Sequence, residues 1–357
     1  MIFCTLFDSN YLDKGLAMYR SLQRTAKAFR VYVLAMDQKC EKILLDYAYE
    51  NMTVISLEEF VPAMGLTGVR ETRPRGEFCW TCACHLIDYV LTHFGEPICT
   101  YVDADLLFYQ DPQCLIDEMG DKTVQIVEHG FDHSIIDRKY QESNGRYCVQ
   151  FNTFKNTPDA LELLRWWEGQ CVSSCDANAD GKVFGDQKYL DGWEKRENVA
   201  VLKNPGGGVA PWNIAHYRAD GDENSVPKLV RKRDGKAFAM VFYHFHHIVY
   251  LKPRTVDIVA YNFNFGVDDQ LVRAIYLPYL RELDEIKEEL KAKYGCYPIL
   301  YAHPALSNRE KSPHKPVSHY WKRLKAEGLR FPIESIYFKI HSRLIQKWNS
   351  GKNVISF

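Results

Sequence analysis

The chain has 357 residues, of which 46% are hydrophobic and 13% aromatic, so it can form one large α/β domain or one domain with an appendage. A formal net charge of −1 argues against a protein dedicated to nucleic acid, and no nucleic-acid partner is expected. The 11 cysteines, an odd number, indicate free thiols in a reducing compartment, and no apolar run reaches the length of a membrane span. We therefore expect a cytoplasmic protein.

The first part of the chain alternates strands and helices. Apolar runs at Ile2–Phe7, 30–36 and 52–55 predict strands, and amphipathic helices follow the first two. This order predicts an α/β fold with a mostly parallel central sheet and helices on both faces. Asp8 and Tyr11 follow the first strand. At this position Asp8 could cap the first helix and Tyr11 could pack against it.

A loop rich in Gly, Arg and Thr is expected at residues 65–76, before a helix at 78–91. It carries Arg70, Arg73 and Arg75, whose guanidinium groups suit bidentate contacts with phosphate or exposure to solvent.

The stretch YVDADLLFYQDP at residues 101–112 places two carboxylates at the end of a buried strand. Ligands of open α/β sheets bind at the carboxyl ends of strands, so Asp103 and Asp105 could share one divalent cation. Mg²⁺ is usually held by one or two carboxylates together with substrate phosphates. The alternative is a pair of turn or capping aspartates.

After this motif we expect a polar loop at 130–144 and a strand at 146–155, followed by an amphipathic helix at 158–175. Strand alternation puts Gln150 and Asn152 on one face, where their amides could bridge sugar hydroxyls or lie in solvent.

Two other metal-like motifs are weak. The C-x2-C-x-C-H run that begins at Cys79 lacks a second ligand pair at a spacing typical of zinc sites, so buried free thiols are favoured. Residues 176–187 match a calcium loop at four positions, but Gln187 replaces the bidentate glutamate.

Residues 237–243 predict an apolar strand that ends in the run HFHH at 244–247. A histidine at a strand end could join the carboxylates, and mixed oxygen and nitrogen ligands suit Mn²⁺ as well as Mg²⁺.

Over residues 1–255 the chain resembles GT-A-fold glycosyltransferases, especially family 8 and related bacterial enzymes. The matching stretches are YVDADLLFYQDP, GEFCWTCACHLIDYVL, FGDQKYLDGW, APWN and the His-Phe of HFHH. The resemblance implies a GT-A catalytic domain at 1–255, followed by a helical C-terminal extension at 256–357.

It also implies an enzyme that moves a sugar from a nucleoside-diphosphate sugar to a glycan or lipid-linked acceptor, with retention of anomeric configuration. The cofactor would be Mn²⁺ or Mg²⁺, and a UDP-sugar is favoured over a GDP-sugar as donor. The implied donor-binding residues are Thr5, Asp8, Tyr11, Arg75, Asp103, Ala104 and Lys252; the metal ligands are Asp103 and Asp105 with His244 or His246; the residues at the reacting sugar are Gln150, Asn152, Asp186 and Gln187.

His244 fits the family pattern better than His246, but His247 stands where the family has glycine. Two alternatives are a haloacid-dehalogenase-like phosphatase, which also uses D-x-D, and an inactive protein that binds nucleotide sugars. Leu107 stands where the phosphatase pattern has threonine.

The C-terminal segment is basic. Residues 301–357 contain 11 Lys and Arg against 3 Asp and Glu, a net charge of +8. Between 319 and 348 basic residues alternate with apolar and aromatic ones, a mixture typical of interfacial helices. We expect this segment to contact an anionic membrane at its inner face; packing against the catalytic domain is the alternative.

Overall fold

The computed structural model describes residues 1–131, 135–177, 183–220, 227–259, 267–299 and 354–357. The predicted membrane-contact segment 319–348 lies outside these ranges, as do residues 178–182 of the calcium-like run.

A seven-stranded sheet forms the centre of the described fold. Its strands, in spatial order, are β3 Met52–Ser56, β2 Arg30–Ala35, β1 Ile2–Phe7, β4 Ile98–Val102, β7 Tyr147–Lys155, β6 Val124–Glu128 and β8 Val199–Val201. The first four strands run parallel, β7 is antiparallel to both neighbours, and β6 and β8 are parallel. The prediction of a mostly parallel sheet is confirmed.

Helices cover both faces of this sheet. They are α1 Leu12–Thr25, α2 Gln38–Tyr47, α3 Leu57–Ala63, α4 Thr67–Thr72, α5 Arg75–Thr92, α6 Gln113–Asp117, α7 Ile135–Asn144, α8 Pro158–Ser173 and α9 Asp269–Tyr294. The alternation of β1 explains the two layers: Phe3 and Phe7 pack with α1, α2 and α9, whereas Cys4 packs with α3, α5 and α8. None of the described helices is both long and apolar enough to cross a membrane.

Three small sheets complete the described fold. They are formed by β5 Leu106–Phe108, β13 Phe242–His244 and β9 Gly207–Val209; by β10 Tyr217–Ala219, β11 Lys228–Arg231 and β12 Ala237–Ala239; and by β14 Val249–Lys252, β15 Thr255–Asp257 and β16 Val354–Ser356. The first of these sheets is the one that builds the candidate site.

Three local predictions were wrong. The expected loop at 65–76 is largely helical, because buried Leu66 and the packing of Val69 anchor α4. The expected loop at 130–144 contains α7, which is held by an ion pair between Asp137 and His216. The expected strand at 237–243 is interrupted at Met240, so that β12 joins one sheet and β13 another.

Candidate functional site

The carboxylate pair lies in the three-residue turn between β4 and β5. Asp103 and Asp105 flank Ala104, which is buried, and the turn is closed by a hydrogen bond from the Leu106 amide to the Asp103 carbonyl of 3.2 Å. The Asp103 carboxylate accepts a hydrogen bond of 3.1 Å from the Tyr101 hydroxyl. Tyr101, which belongs to the strand that precedes the motif, therefore orients the first carboxylate.

Strand pairing brings His244 to the carboxylates. β13 runs antiparallel to β5 and sets His244 opposite Leu106, and the Phe245 amide donates to the Asp105 carbonyl at 2.9 Å. The Nε2 atom of His244 lies 3.0 Å from Asp105 Oδ1 and 3.5 Å from Asp103 Oδ2. The register between β5 and β13 thus brings the D-x-D motif and the HFHH run together.

Three side chains within the described ranges could together hold one cation. Ligand atoms of Asp105, His244 and His246 all lie within 4.8 Å of one another. One carboxylate and two imidazoles suit Mn²⁺, and the neighbouring Asp103 could add a second carboxylate. Asp105 and His244 are buried, and His246 is exposed at the rim of the group. The donor set fits the cation that the sequence predicts.

The charges of this cluster are coupled. Burial disfavours the ionised form of Asp105, but His244 outweighs it and lowers the pKa of Asp105 to about 2. Burial, together with the charge of Asp105, raises the pKa of Asp103 to about 7. Burial opposes the charged form of His244, but Asp105 and Asp103 raise its pKa. A divalent cation would relieve the repulsion between the two carboxylates.

One amide from β7, that of Gln150, contacts this cluster, and a second, that of Asn152, lies two residues further along the strand. The Oε1 atom of Gln150 is 2.8 Å from His244 Nδ1 and so orients the imidazole ring. Its Nε2 atom is buried and makes no hydrogen bond to a described residue. The side-chain amide of Asn152 is also buried, and neither its nitrogen nor its oxygen has a hydrogen-bond partner within the described ranges.

The predicted nucleotide-binding residues follow β1. Asp8 is paired with Arg75, the first residue of α5, at 2.6 Å, and Arg75 also contacts Asp37 at 3.2 Å. Tyr11 precedes α1, and its ring receives the Lys14 ammonium 4.1 Å from its centroid. Thr5 is fully buried within β1, in a setting where no described residue partners its hydroxyl. Asp8, Tyr11 and Arg75 are therefore arranged around the end of β1, with Thr5 beneath them.

Asp186 and Gln187 lie after α8. Asp186 is buried, and its backbone carbonyl accepts a hydrogen bond of 2.9 Å from the indole of Trp167. Burial raises the pKa of the Asp186 carboxyl well above its usual range, and Cys175 and Cys84 reinforce this shift. The Gln187 side chain donates to the Asn144 carbonyl at 2.7 Å.

The departure from the family pattern at His247 has a visible consequence. His247 adopts a positive φ of 62°, a conformation that glycine adopts without strain. Lys252, five residues further on in β14, is exposed. The backbone at residue 247 thus has a conformation that would suit the glycine of the family pattern.

Some residues around the site were not predicted. Trp212 packs edge-on against His244 and His246, with ring centroids 5.2 Å and 5.6 Å apart, and its indole donates to the His129 carbonyl at 2.8 Å. The stretch APWN contains Trp212, so the sequence pointed to this residue. It did not show that Trp212 packs against the histidines. Lys14 carried no signal, because a charged residue in the first turn of a helix is usually exposed.

The cysteine run is not assembled as a zinc site in the part of the chain that the structure describes. All 11 cysteines are free, as expected, and Cys82 and Cys84 are buried in α5. His85 contacts the Thr81 carbonyl at 2.8 Å and Cys84 Sγ at 3.4 Å. These groups pack between α5 and α8.

A mostly parallel seven-stranded sheet with helices on both faces is consistent with the GT-A fold. The chain has this fold. Over 82% of this chain and 100% of the other, it is similar to the galactosyltransferase LgtC, solved with donor and acceptor sugar analogues, with a TM-score of 0.51 and 16% identity. Identity this low shows the fold alone.

Two curated relatives come from Bacillus subtilis (strain 168). The uncharacterized protein YfnF is 29% identical over 251 residues, 68% of this chain and 80% of YfnF. The uncharacterized protein YfnD is 25% identical over 301 residues, 82% of this chain and 91% of YfnD. No family model matches the chain.

Proposed function

We propose that this protein is a metal-dependent glycosyltransferase that moves a sugar from a nucleoside-diphosphate sugar to a glycan or lipid-linked acceptor. The observation that carries the proposal is the cluster of Asp105, His244 and His246 beside Asp103, at the carboxyl end of β4 in a GT-A fold. The fold shared with a galactosyltransferase solved with donor and acceptor analogues supports it.

Asp103, Asp105, His244 and His246 would hold Mn²⁺ or Mg²⁺. When bound, the cation supplies Lewis-acid stabilisation of the diphosphate leaving group. Gln150 keeps the His244 ring in place through the 2.8 Å contact at Nδ1.

The donor would extend from this cluster toward the end of β1. Asp8 and Tyr11 would contact the base, with a UDP-sugar favoured and a GDP-sugar as the alternative, and Thr5 would support them from below. Arg75 is half-exposed and already near Asp8, so it could turn to the diphosphate, as could the exposed Lys252. The backbone of Ala104 would contact the nucleotide between the two carboxylates.

The sugar would lie near Gln150, Asn152, Asp186 and Gln187. The buried amide of Asn152, unpartnered within the described ranges, is available to sugar hydroxyls, because amides both donate and accept hydrogen bonds. Burial raises the pKa of the Asp186 carboxyl and so disfavours its ionised form. Retention of anomeric configuration is the outcome implied by the resemblance to family 8.

The phosphatase alternative gains no support, because the fold is of the GT-A type. The run GDQKYLD at 185–191 resembles the G-D-x4-D motif of these phosphatases, but its second aspartate, Asp191, accepts a hydrogen bond of 2.8 Å from the Arg146 amide. An inactive protein that only binds nucleotide sugars would show no turnover of the donor.

The test is a screen of UDP- and GDP-sugars for Mn²⁺-dependent hydrolysis, with Asp105→Asn as the matched control. We expect one donor to be hydrolysed by the wild-type protein and not by the variant, and NMR of the first product to show the donor's anomeric configuration. Mn²⁺-dependent binding without any turnover, also with acceptor glycans present, would favour the inactive binding protein. No binding of any donor would overturn the proposal.

A further inference from the structure

A buried charge cluster links α1 to α9 behind the site. Asp13, Lys14 and Lys287 are only 0%, 2% and 1% exposed, respectively. The Lys287 ammonium lies 3.0 Å from Asp13 Oδ2 and also donates to the Tyr250 hydroxyl. Asp13 and Lys287 therefore form an ion pair in the interior.

Lys14 is the extra charge in this cluster. Its ammonium is 3.8 Å from Asp13 Oδ1, too far for a hydrogen bond, and lies over the Tyr11 ring. It makes no hydrogen bond to any residue that the structure describes. Two lysines face one aspartate, so the cluster carries one positive charge more than it balances. Burying such a charge is costly unless another group compensates it.

The surplus charge lies at the sheet edge that carries the metal-binding cluster. Lys14 is in the first turn of α1, which follows β1, and its ammonium lies over the ring of Tyr11, the predicted base-binding residue. β1 pairs with β4, the strand that leads into Asp103 and Asp105. Lys14 is therefore near the strand ends where, under the proposed function, the donor's phosphates would pass.

Metal binding would change which negative charges the Lys14 ammonium balances. Without a cation, its charge offsets Asp105 across the interior. With a divalent cation on the carboxylates, the charges of Asp103 and Asp105 are already balanced, and the surplus on Lys14 remains for an anion. A diphosphate is the anion that such a site would take, since lysine binds phosphate as a point charge.

We propose that Lys14 binds the diphosphate of the donor, while Lys287 of α9 balances the charge of Asp13. The inference rests on the proposed function. It gives α9 a part in the site although this helix follows the region that resembles glycosyltransferases.

The test is calorimetric titration with Mn²⁺ alone and, at saturating Mn²⁺, with inorganic pyrophosphate, UDP and GDP. Lys14→Met should leave the Asp13–Lys287 pair balanced and the melting temperature unchanged or raised. We expect its affinity for pyrophosphate and for the preferred nucleotide to fall about 10- to 100-fold, and its affinity for Mn²⁺ alone not to fall. Lys293→Gln, an exposed lysine on α9 paired with Asp46, makes the same change in net charge and should bind as wild type does.

The outcomes separate the two proposals. Wild-type protein that binds none of the three diphosphates with Mn²⁺ contradicts the proposed function. Wild-type protein that binds them while Lys14→Met binds equally tightly overturns only the role of Lys14, whose charge would then merely offset Asp105. Lys14→Gln is the second variant if Lys14→Met does not fold; failure of both to fold would make Lys14 a structural residue and overturn the inference.

Discussion

Asp103 and Asp105 differ in what surrounds them before any cation binds. Asp105 is buried against His244 at 3.0 Å, whereas Asp103 is more exposed and hydrogen-bonded to the Tyr101 hydroxyl. Asp105 also belongs to the group of ligand atoms that lie within 4.8 Å of one another. The second carboxylate is therefore expected to contribute more to metal affinity than the first.

We predict that Asp103→Asn and Asp105→Asn each abolish transfer and leave the fold intact, because each removes one of two repelling charges. Asp105→Asn should weaken Mn²⁺ binding by more than the roughly 10- to 100-fold that follows loss of an outer-shell partner. Activity assays after EDTA treatment and Mn²⁺ resupply, with circular dichroism as the control for folding, measure both effects. Full activity of either variant would remove that carboxylate from the metal site.

The two histidines of the cluster differ in burial. His244 is buried and contacts both Asp105 and Gln150, whereas His246 is exposed. We predict that His244→Ala weakens Mn²⁺-dependent nucleotide binding strongly and that His246→Ala has a milder effect. Calorimetry with Mn²⁺ and UDP or GDP measures this order; equal affinity of wild type and both variants would exclude histidine from the site.

His247 supplies the matched control. His247 is exposed and does not belong to the group of Asp105, His244 and His246 that could hold a cation. His247→Gly should therefore keep wild-type Mn²⁺ affinity. Because its φ is 62°, glycine should relieve backbone strain and raise stability by up to about 1 kcal/mol.

At the scale of elements, α9 is part of the same core as β1 and α1. Leu283 and Ile286 are buried in the cluster that contains Phe3 and Leu16. Arg20 on α1 also pairs with Glu289 at 2.8 Å. Helix α9, which follows residue 256, therefore shares its core with the first strand and helix of the chain.

We predict that Leu283→Ala lowers the free energy of unfolding by about 2–5 kcal/mol, since the side chain is fully buried. Arg281→Ala, on an exposed position of the same helix, should change it by less than about 0.5 kcal/mol. Urea denaturation followed by circular dichroism provides both values. A loss below about 1 kcal/mol for Leu283→Ala would mean that α9 packs loosely.

Elements with a strong apolar pattern could be predicted from the sequence, and elements held by tertiary contacts could not. β1, β4 and α9 follow from apolar periodicity and from signals such as Asp268, which caps α9. α7 is polar, and it depends on contacts such as the Asp137–His216 ion pair with a segment far along the chain.

The same distinction holds within the site. The positions of Asp103, Asp105 and His244 could be predicted because strand ends meet at one sheet edge, and the antiparallel β5–β13 register brings them together. Lys14 could not be predicted, because a charged residue in the first turn of a helix is usually exposed, whereas Lys14 is buried beside the Asp13–Lys287 pair. A local pattern does not show which distant helix covers a residue.

At the scale of the whole molecule, the C-terminal residues return to the fold. β16 pairs with β15, and the Phe357 amide donates to the Arg254 carbonyl at 3.1 Å. A truncation before residue 319 would therefore remove β16 as well as the basic segment. Its effect on membrane binding could not be separated from its effect on folding, so charge substitutions within the segment are the better experiment.

We predict that the full-length protein sediments with anionic vesicles at low salt and that Lys322→Gln, Arg323→Gln and Lys325→Gln together weaken this binding. Each basic side chain near such a surface contributes about 1 kcal/mol, so the triple variant should lose up to about 100-fold in partitioning. Lys27→Gln, Lys39→Gln and Lys42→Gln remove the same charge from exposed positions elsewhere and should bind like wild type. If the wild type ignores anionic vesicles, or both triple variants lose binding equally, then attraction by the 319–348 segment does not bring the enzyme to its acceptor.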